Sequence, residues 1–157
     1  MFRAGDGVLP SLHILPATVT DLPAIAELAA ESWRAHYPGI ISGAQIEYML
    51  ERMYSLETLT REITTEGISY DRLLVDGRLI GFAAYGPAGE RIQKTKTCKL
   101  HKLYLHPAFQ RRGYGSALLE HVCSTAAAHG YATLILAVNK MNVKAIAAYQ
   151  KNGFAVR

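Results

Sequence analysis

The sequence predicts a single α/β domain over residues 1–157, a mixed central sheet with helices on both faces in the order β-α-α-β-β-β-α-β-α-β. Three observations predict it. Apolar runs of strand length alternate with longer stretches of helical periodicity. The dipeptide Asp76-Gly77 joins two of the strands as a tight hairpin. The run Gln110-Arg111-Arg112-Gly113-Tyr114-Gly115-Ser116-Ala117 carries a strand into a helix through glycines. A chain of 157 residues, half of them hydrophobic, builds one full core and is too short for two.

Taken in order, residues 1–10 form a leader expected to be disordered, and Leu12 to Ala17 reads as the first strand. Thr20-Asp21 and Pro23 start a helix with Leu22, Ile25, Leu28, Ala29 and Trp33 on one face. Pro38-Gly39 breaks the chain, and Ser42 caps a second helix in which Ile46, Met49, Leu50 and Met53 recur at helical spacing. A short third helical piece, Leu56 to Thr65, ends at Gly67. Strands Ile68–Val75 and Leu79–Tyr85 flank the hairpin turn, and Gly86-Pro87-Ala88-Gly89 starts a loop. Thr97–Leu105 is a strand, Gly113 to His129 a long helix stopped by Gly130, Tyr131–Val138 a strand and Asn142–Asn152 a helix. Gly153-Phe154 begins a last extended piece.

Composition narrows the classes of function. No apolar run approaches the roughly 18 to 20 residues of a membrane span, and the first residues lack a signal-peptide core. Cys98 and Cys123 have no metal-ligand spacing, so reduced core thiols in a cytoplasm are expected, with no metal. Charge is split along the chain. Residues 1–90 hold six basic and twelve acidic residues, whereas residues 91–157 hold eleven basic residues and Glu120 as their one acid. The run Arg91, Lys94, Lys96, Lys99, Lys102, Arg111, Arg112 contains no acid and leads to the glycine loop. Its aromatic content, Tyr104 and Phe109, is too sparse for a nucleic-acid stacking surface, and a small polyanionic cofactor is the more economical partner.

The loop explains why. Gly113 and Gly115 carry no side chains, which allows successive backbone N–H groups to converge on an anion above the positive end of the helix dipole, with Arg111 and Arg112 beside them. It is not the Rossmann fingerprint, because Leu118 stands where a third small residue is needed, nor a Walker loop, because Gly-Lys-Ser/Thr is absent. A second element, Asn139-x-x-Asn142-x-x-Ala145-x-x-x-Tyr149-x-x-x-Gly153-Phe154, puts Asn142, Ala145 and Tyr149 on one stripe of a helix ended by Gly153.

Together these motifs resemble the GCN5-related N-acetyltransferases, the GNAT family. The likeness spans about Leu12 to Phe154, and its specific part runs from Leu100 to Phe154. It implies the GNAT fold, a mostly antiparallel mixed sheet, and acetyl-CoA as co-substrate. Leu103, Tyr104 and Leu105 would then offer backbone groups to the pantetheine arm where their strand splays from the next. Gln110, Arg111, Arg112, Gly113, Tyr114, Gly115 and Ser116 would hold the pyrophosphate. Asn139, Asn142 and Ala145 would line the pantetheine, and the Tyr149 hydroxyl would protonate the departing thiolate. Read without the resemblance, Tyr149 is a core aromatic.

Two departures from the family pattern carry weight. Lys99 stands where many members place a glutamate base; His101, two residues on, resembles the histidine of arylalkylamine acetyltransferases and shares the face of Lys99 if no bulge intervenes. Its other reading is a solvent-facing or core histidine. After Phe154 only Ala155-Val156-Arg157 remain, where members usually continue through another strand, so either more chain follows or a strand edge is left for another chain, as in a homodimer.

For the acceptor, Trp33, His36, Tyr37 and the stretch Ile40 to Leu50 resemble bacterial spermidine/spermine acetyltransferase-like members. Glu27, Glu31, Glu47 and Glu51 suit a cationic amine, or are the wet faces of two helices. The expectation is N-acetyl transfer from acetyl-CoA to a polyamine-like primary amine. The alternatives are a protein N-terminus or other small amine, and a CoA-binding regulator without turnover.

Overall fold

The computed structural model describes residues 11–89, 96–138 and 140–156; the leader 1–10 and the expected contributors Arg91, Lys94 and Asn139 lie outside them. The elements are β1 (Leu12–Pro16), α1 (Leu22–His36), α2 (Gly43–Tyr54), α3 (Leu56–Thr64), β2 (Ser69–Val75), β3 (Arg78–Pro87), β4 (Thr97–Leu105), α4 (Tyr114–Ala128), β5 (Thr133–Ile135) and α5 (Val143–Lys151). The sheet order is β1-β2-β3-β4-β5, antiparallel except for the β4–β5 pair. The mixed, mostly antiparallel sheet with helices on both faces is therefore the fold.

Local chemistry sets most boundaries. Ser42 accepts the Gln45 N–H at 3.1 Å and starts α2, and Ser55 does the same for α3 through Thr58 at 3.2 Å. Asp76 and Gly77 take positive φ, +50° and +79°, between the paired residues Val75 and Arg78. One face of the sheet packs Tyr70, Phe82 and Ala84 against Ile25, Trp33, Leu50 and Leu59 of α1 to α3. The other packs Leu73, Ile80, Ala83 and Leu100 against Leu118 and Val122 of α4. On that second face the buried Asp71 carboxylate is satisfied by the Tyr85 hydroxyl at 2.6 Å and His121 at 3.2 Å.

Three boundaries differ from the sequence reading. β3 runs on through Gly86 and Pro87, which pair with Lys99 and Cys98 instead of forming a loop; proline is tolerated there because it ends the strand. β5 keeps only Thr133–Ile135 of the expected Tyr131–Val138, because its partner strand diverges after Lys99. Residues 154–156 join no strand, and Phe154 instead closes the end of α5.

Candidate active site

The glycine loop begins where β4 ends. A short 3-10 turn, Pro107–Phe109, is capped by His106 and leads into Gln110, whose side-chain amide reaches the Leu105 carbonyl at 3.5 Å. Arg111 and Gly113 both adopt left-handed backbone, φ +64° and +84°, which swings successive N–H groups to one side. Ala117 is the first N–H bonded back into α4, at 3.1 Å to Gly113 O, so those of Tyr114, Gly115 and Ser116 precede the intrahelical ladder. A Cβ built on Gly113 meets nothing within 4 Å, and one on Gly115 meets only Leu105 Cδ2 at 3.8 Å. The glycines thus bound open space, as an anion cradle requires. Phe109 carries the Arg112 guanidinium over its ring at 5.6 Å and that of Arg78 at 5.5 Å. Arg78 was invisible to a reading of the basic run, since it lies far upstream at the start of β3.

The strand leading to the loop has a half-open edge. β4 pairs with β3 along its length, Leu103, Tyr104 and Leu105 facing Ala83, Phe82 and Gly81, but with β5 only over Thr97–Lys99. Among the described residues, the outward backbone groups of β4 beyond Lys99 have no strand partner, which is the splay expected beside a pantetheine arm. Ala145 and Tyr149 lie on α5, next in the chain after β5, and Asn142 stands at its N-cap. Asn142 Oδ1 accepts the Ala145 N–H at 3.2 Å, so that oxygen caps α5. Tyr149 is half-buried, its ring edge-on to Phe154 at 5.8 Å, and burial pushes its pKa up. Among the described residues its hydroxyl bonds to no partner, leaving a neutral O–H free to donate.

A bulge does interrupt β4. Tyr85 pairs with Leu100 and Ala84 with Lys102, which leaves His101 as the extra residue. The apolar alternation records it, moving from Cys98 and Leu100 to Leu103 and Leu105 on the α4 face. The premise of an unbroken strand between Lys99 and His101 is corrected, although Lys99 still lies close enough to act on His101 electrostatically. Burial, first, pushes the His101 pKa down, and Lys99 and Lys102 add to this, while the bond to Pro87 O and the Glu62 carboxylate oppose it. Nε2 lies 3.1 Å from the Pro87 carbonyl, which can only accept, so the proton sits on Nε2 and Nδ1 carries the lone pair.

Lys102 does not belong to a basic surface. Its ammonium is buried and donates to Glu62 Oε1 at 2.9 Å, the Tyr70 hydroxyl at 2.8 Å and the Met53 carbonyl at 2.9 Å, 4.6 Å from the Tyr54 ring centroid.

The acceptor candidates separate. Trp33 is buried, donates its indole N–H to the Tyr104 hydroxyl and packs on Tyr37 with ring centroids 4.5 Å apart. Tyr104 packs with these α1 aromatics on one side of the sheet, whereas Tyr149 packs with the α4-side core. His36 is exposed on the last turn of α1. Glu47 is engaged by Arg34 at 2.7 Å and Glu31 by His106 at 3.2 Å, whereas Glu27 and Glu51 are exposed. A cleft of about 560 Å³, lined by Pro38 to Gly43 and Ile46, opens at the α1–α2 turn beside Tyr37.

Residues 22–154 match the sequence profile of the acetyltransferase (GNAT) family. Over 150 residues the chain is 31% identical to spermidine N(1)-acetyltransferase of Thermoplasma acidophilum, covering 93% of this chain and 89% of that one. The crystal structure of the PaiA N-acetyltransferase from Thermoplasma acidophilum in complex with coenzyme A superposes with a TM-score of 0.81 and 29% identity, over 94% of this chain and 91% of that one. A shorter stretch, 55 residues or 35% of this chain and 37% of the relative, is 44% identical to the ribosomal protein bS18 alanine N-acetyltransferase of Escherichia coli K12. With its sheet, glycine loop and half-open strand, the chain belongs to the acetyltransferase (GNAT) family and is an acetyl-CoA-dependent N-acetyltransferase.

Proposed function

We propose that this enzyme acetylates a polyamine-like primary amine. The observation that carries the acceptor is the similarity to a spermidine N(1)-acetyltransferase along nearly the whole chain, the α1–α2 region included. The bound thioester supplies an activated acetyl group, and the protein's part is to hold it, place the amine and move two protons. The N–H groups of Tyr114, Gly115 and Ser116, with Arg111 and Arg112, bind the pyrophosphate; Gln110 fixes the loop to the end of β4. The free backbone groups of Leu103 to Leu105 pair with the pantetheine, beside Ala145 and the Asn142 cap. Tyr149, neutral because burial disfavours the phenolate, donates its proton to the leaving thiolate. His101 receives the amine's proton on Nδ1, and its lowered pKa keeps that nitrogen free at neutral pH. Trp33, Tyr37 and Tyr104 form an aromatic wall suited to a cation, and His36 stands at the rim.

A peptide N-terminus is the second reading, favoured by the 44% identity over 55 residues to the bS18 alanine acetyltransferase. Specificity constants for spermidine, a neutral amine of similar length and a peptide with N-terminal alanine separate the two. Spermidine is expected to lead at low ionic strength and to lose part of its advantage at high salt, since Glu27 and Glu51 are exposed and screened within about 10 Å at 0.1 M. Equal constants for spermidine and the neutral amine would remove the polyamine reading.

A further inference from the structure

We propose that Asn152 and Phe154 are positioning residues that set the Tyr149 hydroxyl and tie it to the pyrophosphate loop. The inference rests on the reading of Tyr149 as the proton donor. α5 contributes no fully buried residue, so its packing alone gives it little rotational precision. Specific ties at its C-terminus must supply it. The Phe154 N–H bonds to Tyr149 O at 3.0 Å and the Gly153 N–H to Gln150 O at 3.0 Å, with Gly153 at φ +95°. These are the two bonds of a Schellman ending, and its usual apolar contact is present as the Phe154 ring edge-on to Tyr149. Both rings pack against the α4-side core. Phe154 therefore holds Tyr149 twice, by its own N–H on the Tyr149 carbonyl and by its ring on the phenol.

Asn152 makes the second tie. Its side-chain amide donates to Ala148 O at 2.8 Å within α5 and to Ser116 Oγ at 3.3 Å in the first turn of α4. Ser116 is the last residue of the anion cradle, so occupancy of the cradle and the orientation of α5 share one hydrogen bond. A proton donor must be held within a fraction of an ångström, and misplacement of about 1 Å can cost 100-fold in rate.

The test is a double-mutant cycle on the full chain. Steady-state kcat and KM for acetyl-CoA are measured with spermidine, and with an N-terminal alanine peptide as second acceptor, for Asn152→Ala, Phe154→Ala and Phe154→Leu, each alone and combined with Tyr149→Phe. In the wild-type background Asn152→Ala and Phe154→Ala are expected to lower kcat about five- to tenfold with KM within about twofold, and Phe154→Leu, which restores apolar bulk, to recover most of the loss. In the Tyr149→Phe background the same changes should have no further effect on kcat. Losses that multiply with that of Tyr149→Phe, or unchanged kcat in both single variants, would overturn the proposal while leaving Tyr149 as donor. Wild-type kcat in Tyr149→Phe itself would remove the donor reading and this inference with it. Asn152 is partly exposed, so its variant keeps the test decisive even where Phe154→Ala fails to fold.

Discussion

Gly115 lies in the first turn of α4 outside the left-handed region, and a Cβ there would make only an ordinary contact with Leu105. The fold does not need a glycine at 115; the anion proposed to sit on the adjacent N–H groups would. Gly115→Val is therefore expected to abolish CoA binding by calorimetry while the melting temperature changes little. Wild-type affinity in the folded variant would contradict the cradle. His101 makes a prediction in pH. Its pKa lies below the ordinary 6.5 because burial disfavours imidazolium, so neutral imidazole persists to lower pH than in a free histidine. As a base it should make kcat/KM rise through a transition below 6.5, a transition absent from His101→Ala and retained in Lys99→Ala. A wild-type profile in His101→Ala would send the proton elsewhere.

At the scale of elements, Lys102 joins β4 to the end of α2 through Met53, to α3 through Glu62 and to β2 through Tyr70. Removing one partner of a buried, hydrogen-bonded pair costs more than the pair contributes, because the other charge is left uncompensated. Glu62 is partly solvated, which softens the loss. Lys102→Met should cost ~2 kcal/mol, a fall of about 4–8 °C in Tm for a chain of this size, measured by thermal unfolding. The helix start at Ser42 was legible because a cap is a local matter of one side chain and one N–H. The end of β3 and the shortness of β5 were not, because both are set by what β4 pairs with. The bulge at His101 did leave a trace, the shift of apolar residues from 98 and 100 to 103 and 105. Without the opposing strand, Lys102 reads as one more member of a basic run.

Across the whole molecule the sheet separates two parts of the chain. The basic C-terminal part supplies the glycine loop and α5 on one face, and the acidic N-terminal part supplies α1 to α3 on the other. β4 is common to both, with its free edge toward one and the Tyr104 ring toward Trp33. The glycine loop between β4 and α4 could be read from sequence because strand, turn and helix are contiguous there. The acceptor side could not, since Trp33, Tyr37 and Tyr104 meet only in the fold, and the acids singled out for a cation include Glu31 and Glu47, which already have partners. Catalysis by Tyr149 can be read from release of free CoA thiol from acetyl-CoA, with and without spermidine, in the wild type and in Tyr149→Phe. Spermidine-dependent release is expected, falling by about 10² to 10⁴-fold when the hydroxyl is removed, with CoA affinity unchanged. Tight CoA binding with no amine-dependent release from spermidine or the alanine peptide would contradict acetyl transfer by this site.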